Sequence, residues 1–272
     1  MDITPELFYK SCPVALAPDD SIFNTVKEFF PGVETTVRGI VGSALFDELD
    51  ADGTLPVADI AALICSYALY SAVPQLDLVL TPTGFGVVST DVVAPASPER
   101  VRNLRSQLMD NAASAHDSLI AKLCKMERWN SSPDAKRVFS TMFVSVRDFA
   151  DISRRAMSFT TRSELYPEIV QIERELSRVI SPELIQAMRD GARSASLSPM
   201  QEMLRQQIKA YMSMWVKHDG SSFGKDRMLL QFVEENIDDF PQYRDSQTYK
   251  ANHFQRYENK AEDSCFFFSG GC

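Results

Sequence analysis

The stretch PVADIAALICSYALYSAV, from Pro56 to Val73, is apolar on almost every face of the helix that it predicts. A helix without a polar face belongs in the middle of a bundle, where neighbouring helices cover it on all sides. Its most apolar part, Ala58 to Val73, carries one charge and is sixteen residues long. A membrane span needs about twenty residues. We therefore expect a core helix in a mainly α-helical bundle.

A second amphipathic helix is predicted immediately before this core helix. Apolar residues recur three or four positions apart from Val33 to Leu49, which is the period of an α-helix. Gly39 and Gly42 lie inside this segment, although glycine costs about 1 kcal/mol relative to alanine in a helix interior. We expect another helix or a backbone segment to cross closely at these glycines.

The longest helix is expected to begin at Pro98, with Ser97 as its N-cap. Its apolar stripe would reach Arg128 if the helix is continuous, and His116 falls outside that stripe. A solvated histidine is therefore expected at that position. The apolar pattern continues at helical spacing from Trp129 to Phe149.

A small β-hairpin is predicted near residues 78–88. The segments LDLVL and FGVV have strand composition and are bounded by Pro82, Gly84 and Gly86. A two-stranded hairpin is marginally stable in water, so it should pack on the bundle or on another subunit.

The remaining chain predicts a second helical unit and an extended tail. Helices should start at Ser181-Pro182 and at Ser198-Pro199, and one more should cover Asp226 to about Asn236. We expect an N-terminal unit at 1–130, a second unit at 131–240 and an extended aromatic tail at 241–272. Phe30-Pro31 and Tyr166-Pro167 both precede helical segments, so the two helical units are either pseudo-repeats or similar by chance.

The motifs that could carry chemistry are incomplete. Gly220-Ser-Ser-Phe-Gly224 matches the nucleophile elbow of α/β-hydrolases, but no alternating strands surround it. The same stretch with Lys225 is one residue short of a P-loop. The acidic segment from Glu48 to Asp59 resembles a calcium loop but has the wrong first and last residues and contains Pro56. We therefore predict no enzymatic activity and no catalytic, cofactor-binding or metal site.

Charge and cysteine usage favour an intracellular protein that does not grip nucleic acid. The 28 basic and 37 acidic residues give a net charge of −9, which disfavours DNA wrapping and anionic membranes. The five cysteines are odd in number and scattered, which is typical of a reducing compartment. Near the C-terminus, the segment Phe266-Phe267-Phe268 would promote aggregation if it were exposed. We therefore expect it to dock either on its own domain or on a partner.

Two resemblances link these features to tailed phages. The unit made of Val33–Leu49, the acidic loop Asp50–Leu55 and the apolar helix Pro56–Val73 resembles the core of head–tail connector (adaptor) proteins. GFGVV and VAPASPERV, the long helix that follows, IVQIERELSRVISPEL and the Phe-rich Gly-Gly end are similar to an uncharacterised family of virion structural proteins. That family occurs in phages and prophages of gut anaerobic bacteria.

The resemblance implies a non-enzymatic subunit of an oligomeric ring between portal and tail. The ring would contact itself and the portal and tail or neck proteins, and DNA would pass through it without specific binding. Phe266, Phe267 and Phe268, together with Phe85 of the β element, are the expected partner-binding residues. The protein would be assembled in the bacterial cytoplasm and reside in the virion. The alternatives are another phage structural protein, such as a tail-completion or neck factor, or a helical interaction module unrelated to phage.

Overall fold

The computed structural model describes residues 1–12, 20–81, 84–87, 97–217 and 224–254, and these are mainly helical, as predicted. The helices in these ranges are α1 (Pro5–Ser11), α2 (Asp20–Lys27), α3 (Phe30–Val41), α4 (Ser43–Ala51), α5 (Val57–Asp77), α6 (Pro98–Cys124), α7 (Glu127–Asn130), α8 (Pro133–Val138), α9 (Val146–Ser153), α10 (Phe159–Val179), α11 (Pro182–Arg193), α12 (Pro199–Val216), α13 (Lys225–Glu235), α14 (Pro241–Arg244) and α15 (Gln247–Asn252). A 3-10 turn covers Ile237–Asp239.

Helix α5 is the central helix of the N-terminal half, which confirms the prediction for Pro56–Val73. Ile60, Ile64 and Ala68 are fully or almost fully buried, and α5 packs against α1, α2, α3 and α6. By length and composition alone, Val57–Leu76 could cross a membrane, with a mean hydropathy of 1.5. However, 56% of that window is buried inside the protein, because neighbouring helices cover its apolar surface.

The single helix predicted from Val33 to Leu49 is instead two helices, α3 and α4, which meet at Gly42. Gly42 has φ 92°, a left-handed conformation that ends α3. The Asp134 side chain of α8 fills the space where a Cβ of residue 42 would lie. At Gly39 that space is open, so no backbone crosses there. The close approach is therefore made by one carboxylate at the helix break.

The predicted start of the long helix is confirmed. Its predicted end at Arg128 and the helix predicted from Trp129 to Phe149 are wrong. The Ser97 hydroxyl accepts a hydrogen bond from the Arg100 backbone N–H at 3.4 Å, and α6 ends at Cys124 rather than Arg128. Residues 139–145 are not helical, contrary to the periodicity. Side chains bind the backbone N–H groups of Met142 and Phe143 in this loop, so these groups do not need a helix.

A short two-stranded antiparallel ladder lies between α5 and α6. Strand β1 (Leu78–Thr81) pairs with β2 (Gly84–Val87), with Leu78 opposite Val87 and Thr81 opposite Gly84. The backbone of the chain thus reverses direction between the two longest helices of the N-terminal half.

Local capping signals in the second half are confirmed. The Ser181 hydroxyl accepts from the Leu184 N–H at 3.0 Å, and Ser198 forms a reciprocal capping box with Gln201. In contrast, Pro167 lies inside α10, which begins at Phe159. Tyr166-Pro167 therefore does not start a helix as Phe30-Pro31 does, and the proposed correspondence between the halves fails at this point.

The extended tail predicted from residue 241 is wrong for its first part. Residues 241–252 form α14 and α15, and Phe240 and Tyr243 are fully buried beside them. The Tyr243 hydroxyl donates to the Glu234 carboxylate at 2.8 Å. The chain is therefore docked on the bundle here, because two aromatic side chains fill its core. The rest of the predicted tail, 255–272, lies outside the described residues.

Buried hydrophobic side chains in the described part of the chain form two clusters, which we call the first core and the second core. The first core draws on residues from Ile3 to Val144, and the second on residues from Met142 to Tyr243. The boundary falls in the non-helical loop 139–145. That loop therefore contributes side chains to both cores.

A pair of glycine substitutions tests the break between α3 and α4. Gly42→Ala should lower the free energy of unfolding by about 1–3 kcal/mol, because alanine is strained at this φ and its Cβ meets Asp134. Gly39→Ala is the matched control and should raise it by up to about 1 kcal/mol, since the site is helical and open. Urea denaturation measures both, and equal effects would contradict this account of the break.

Candidate functional site: the seam between the two cores

The two cores meet along a seam that contains an apolar cleft of about 520 Å³. Ile120 and Cys124 of α6 line one wall, and Met142, Val144 and Leu197 line the other. Charged side chains stand at its rim, and they belong to both halves of the chain: Asp117, Lys125, Asp148, Glu202 and Arg205. The cleft therefore combines an apolar lining with a few charged side chains, as small-molecule and peptide sites do.

A second cleft, of about 630 Å³, lies on the same seam between α8, α10 and α11. It shares Phe139 with the apolar cleft but has a different character. Its lining carries four cationic side chains, from Lys136, Arg174, Arg189 and Arg193. One acidic side chain, Asp190, lines it as well.

The carboxylate of Glu173 fixes the loop between the cores. Glu173 is fully buried on α10, and one of its oxygens accepts from the Thr141 hydroxyl at 2.6 Å and from the Met142 N–H at 3.1 Å. The other oxygen pairs with the Arg189 guanidinium of α11. One buried acid thus holds together the loop, α10 and α11, and its charge is compensated by hydrogen bonds and one cation.

A second carboxylate, Asp148 at the start of α9, anchors α12 to the seam. It pairs with Arg205 at 2.9 Å and with Lys209 at 2.6 Å. Partial burial opposes the charge on Lys209, but hydrogen bonds to Asp148 and Asp151 raise its pKa overall. Arg205 also donates to the Met142 carbonyl at 3.3 Å, so both acids act on the same loop.

His116 is buried at the seam, which corrects the expectation of a solvated histidine. Its ring is 1% exposed, lies edge-on to Phe159 of α10 at 5.7 Å and contacts the Asp117 carboxylate at 3.1 Å. Burial lowers its pKa, opposed by the hydrogen bond to Asp117. The helical stripe of α6 could not indicate this position, because its cover comes from the other half of the chain.

Asp117 also connects the two cores directly. Its second carboxylate oxygen accepts from the Ser145 hydroxyl at 2.8 Å and lies 3.7 Å from the Arg147 guanidinium. Arg162 donates to the Val144 carbonyl at 3.1 Å, and its burial lowers its pKa. These contacts clamp α6 to the loop and to α9.

The buried carboxylates Glu173 and Asp148 are both paired with cations. Burial raises the pKa of the Cys12 and Cys124 thiols to about 11, which keeps them protonated. Within the described ranges, no group of three or more His, Cys, Asp or Glu side chains stands together as metal ligands would.

The carboxylates in and around the acidic loop before α5 form ion pairs with neighbouring basic side chains. Arg128 bridges Glu48 at 2.5 Å and Asp52 at 3.0 Å, and hydrogen bonds from the Thr54 hydroxyl and then its N–H lower the pKa of Asp52. Asp59 accepts from Ser118 at 2.6 Å and pairs with Lys122. These oxygens close the helix-ending turn onto α6 and α7.

The partner-binding residues predicted from sequence are not at the seam. Phe266, Phe267 and Phe268 lie outside the described residues, as does most of Gly220–Gly224. Phe85 lies in β2 opposite Leu80 in the ladder. Sequence reasoning also missed the cationic cleft. The only local signal is the four-residue spacing of Arg189 and Arg193, which places them on one face of a helix.

The role of Glu173 can be tested by removing its charge. Glu173→Gln should lower the free energy of unfolding by about 2–3 kcal/mol, because hydrogen bonds to a buried charged group are lost and Arg189 loses its partner. The control is Glu175→Gln, two positions further along α10, where the side chain is 43% exposed. This change should lower the free energy of unfolding by about 0.5 kcal/mol or less. Chemical denaturation of both variants decides the matter, and similar small effects would contradict the role assigned to Glu173.

The buried histidine should make stability depend on pH. Because the pKa of His116 is below its usual 6.5 in the folded chain, the unfolded chain binds more protons, and stability falls as the pH drops below 6.5. His116→Gln should flatten the unfolding free energy between about pH 7 and pH 5.5. The same substitution at His253, which is 44% exposed, is the control for removing a histidine side chain. An unchanged slope in His116→Gln would refute the assignment.

Comparison with known proteins identifies a family but not a function. No curated protein and no solved structure matches the chain significantly. A family of unknown function, DUF6712, matches residues 37–138 and 205–253, which is more than half of the chain. The unmatched stretch 139–204 holds the loop 139–145, α9, α10, α11 and the start of α12, and it supplies most of the residues that line both clefts. The chain therefore belongs to the DUF6712 family.

Proposed function

We propose that this protein is a non-enzymatic virion assembly protein of a tailed phage, a head–tail connector that forms an oligomeric ring between portal and tail. The resemblance of Val33–Val73 to connector proteins is the starting point. The unit that carries it is α3, α4, the acidic loop and α5. Its carboxylates in α4, the acidic loop and α5 pair with Arg128 of α7 and Lys122 of α6, which fix the unit against the long helix and the turn after it.

The observation that carries the proposal is the closed C-terminal end of the second core. Phe240 and Tyr243 are fully buried there, whereas Phe254, the last described residue, is 78% exposed. The chain that follows contains Phe266-Phe267-Phe268. We assign these phenylalanines to a partner contact, where each can contribute about 1.5–3 kcal/mol on burial.

The hairpin is the second contact that we propose for ring formation. Strands β1 and β2 pair only with each other in the described part of the chain. A two-stranded ladder of four residues per strand is marginal on its own, and its outer edges can accept a further strand. A neighbouring copy could complete it, and Phe85 in β2 is the residue that we assign to this contact.

Charge fits passage of DNA rather than its binding. The net charge of −9 repels a polyanion and so disfavours contacts to the phosphate backbone. In the ring, the partners would be copies of this chain and the portal and tail or neck proteins. The protein would accordingly be assembled in the bacterial cytoplasm and retained in the virion.

Removing the aromatic tail tests this function. The full chain should form a closed ring, seen as a large mass in light scattering and as rings in negative-stain images. Deleting Asp263–Cys272, or replacing Phe266, Phe267 and Phe268 with serine, should abolish the ring or partner contact, because the apolar surface that drives it is lost. The far-UV circular dichroism should stay helical.

Alanine replacement of Ser269, Gly270 and Gly271 is the matched control, because it changes the same tail without removing its aromatic residues. This variant should assemble like the full chain. A full chain that stays monomeric at high concentration contradicts the ring. A tail deletion that assembles and binds normally contradicts the role of the phenylalanines.

A further inference from the structure

The cationic cleft between α8, α10 and α11 has no role in the proposed ring. Its walls are Lys136 from α8, Arg174 from α10, and Arg189 and Arg193 from α11. Its volume, about 630 Å³, is that of a small-molecule site. A concentration of four cations in one concavity is unexpected in a chain with a net charge of −9.

Two of these four cations are compensated by neighbouring acids. Arg189 pairs with the buried Glu173, and Arg193 pairs with Asp190 at 2.7 Å. Lys136 and Arg174 are both exposed at the cleft, and neither has a carboxylate within ion-pair distance among the described residues. The cleft therefore carries an excess of about two positive charges that the described protein does not neutralise.

Hydrogen-bond donors without a partner among the described residues also favour an anionic ligand in this cleft. The Arg193 side chain is only 18% exposed, and its Nε atom is buried without a hydrogen-bond partner. A buried donor without a partner is unfavourable, and an oxygen-bearing ligand would relieve this. On α10, the Ser177 hydroxyl donates to the Arg174 carbonyl at 2.7 Å. The Arg174 guanidinium itself has no hydrogen bond or ion pair to another described residue.

We propose that this cleft binds a compact ligand with at least two oxyanion groups, carboxylate or phosphate. Guanidinium groups bind both kinds of oxyanion through paired N–H donors, and the ammonium of Lys136 adds a point charge on the facing wall. Arg189 stays committed to Glu173 and shapes the floor, whereas Arg174 and Lys136 supply the charge that the ligand neutralises.

The site selects a compact anion over a long one. Salt screens the field of the cleft beyond about 10 Å, so only charges close to its lining are attracted to it, whereas the net charge of −9 opposes the approach of an extended polyanion. Two of its three walls, α10 and α11, belong to the stretch 139–204 that the family match leaves out. The third wall, with Lys136, lies in the matched stretch 37–138.

Calorimetric titration at constant ionic strength tests the site, with tripolyphosphate and citrate as probes and chloride as the background anion. At least one probe should bind the full chain and raise its Tm. Lys136→Gln combined with Arg174→Gln should weaken that binding by about tenfold or more, because the two uncompensated charges are lost. Both side chains are exposed, so the fold should persist, which circular dichroism checks.

Lys10→Gln combined with Arg100→Gln is the matched control, since it removes the same charge at exposed positions of α1 and α6. Its affinity should stay within about twofold of the full chain. Binding of tripolyphosphate alone or of citrate alone supports the site and identifies phosphate or carboxylate as its ligand group. Binding of neither probe, or equal loss in both double variants, overturns the proposal.

Discussion

The buried carboxylate of Glu173 is the constraint on which the seam depends. A fully buried charge is tolerated only when its lone pairs are bound, and here Thr141, Met142 and Arg189 bind them. These partners come from the loop 139–145 and from α11. The hydrogen bonds from Thr141 and Met142 to Glu173 therefore stabilise the non-helical conformation of the loop. The ion pair with Arg189 holds α10 and α11 together. The shape of both clefts depends on the conformation of this loop, since its residue Phe139 lines each of them.

The other polar contacts at the seam reinforce the same geometry from different sides. Asp148 holds Arg205, and Arg205 donates to the carbonyl of Met142, whose N–H is bound by Glu173. Asp117 reaches Ser145 at the other end of the loop. Because partly satisfied polar networks are costly and fully satisfied ones are rigid, the loop is held in one conformation. The two cores are thus joined by directional bonds in addition to apolar contacts.

Sequence alone predicted those elements whose cause is local. The apolar faces of Pro56–Val73 and the hydroxyl caps at Ser97, Ser181 and Ser198 each lie within a few residues of the helix that they specify, and the structure has them. The break at Gly42 depends on Asp134, the loop 139–145 depends on Glu173, and the burial of His116 depends on Phe159. Each of these is a contact between distant parts of the chain. Periodicity carries no information about such contacts, so the candidate site could not be found by it.

The location of the cationic cleft follows from this division between local and distant causes. A run of basic residues would be visible in the sequence, but Lys136, Arg174 and Arg193 come from three helices and meet only because Glu173 and the loop bring α8, α10 and α11 together. The same acid neutralises Arg189, so the positive excess of the cleft comes from Lys136 and Arg174. A net charge of −9 describes the far field of the molecule, whereas a screened cleft responds to charges within about 10 Å. A molecule with a net negative charge can therefore still attract a compact anion to this cleft, because the two electrostatic effects act over different distances.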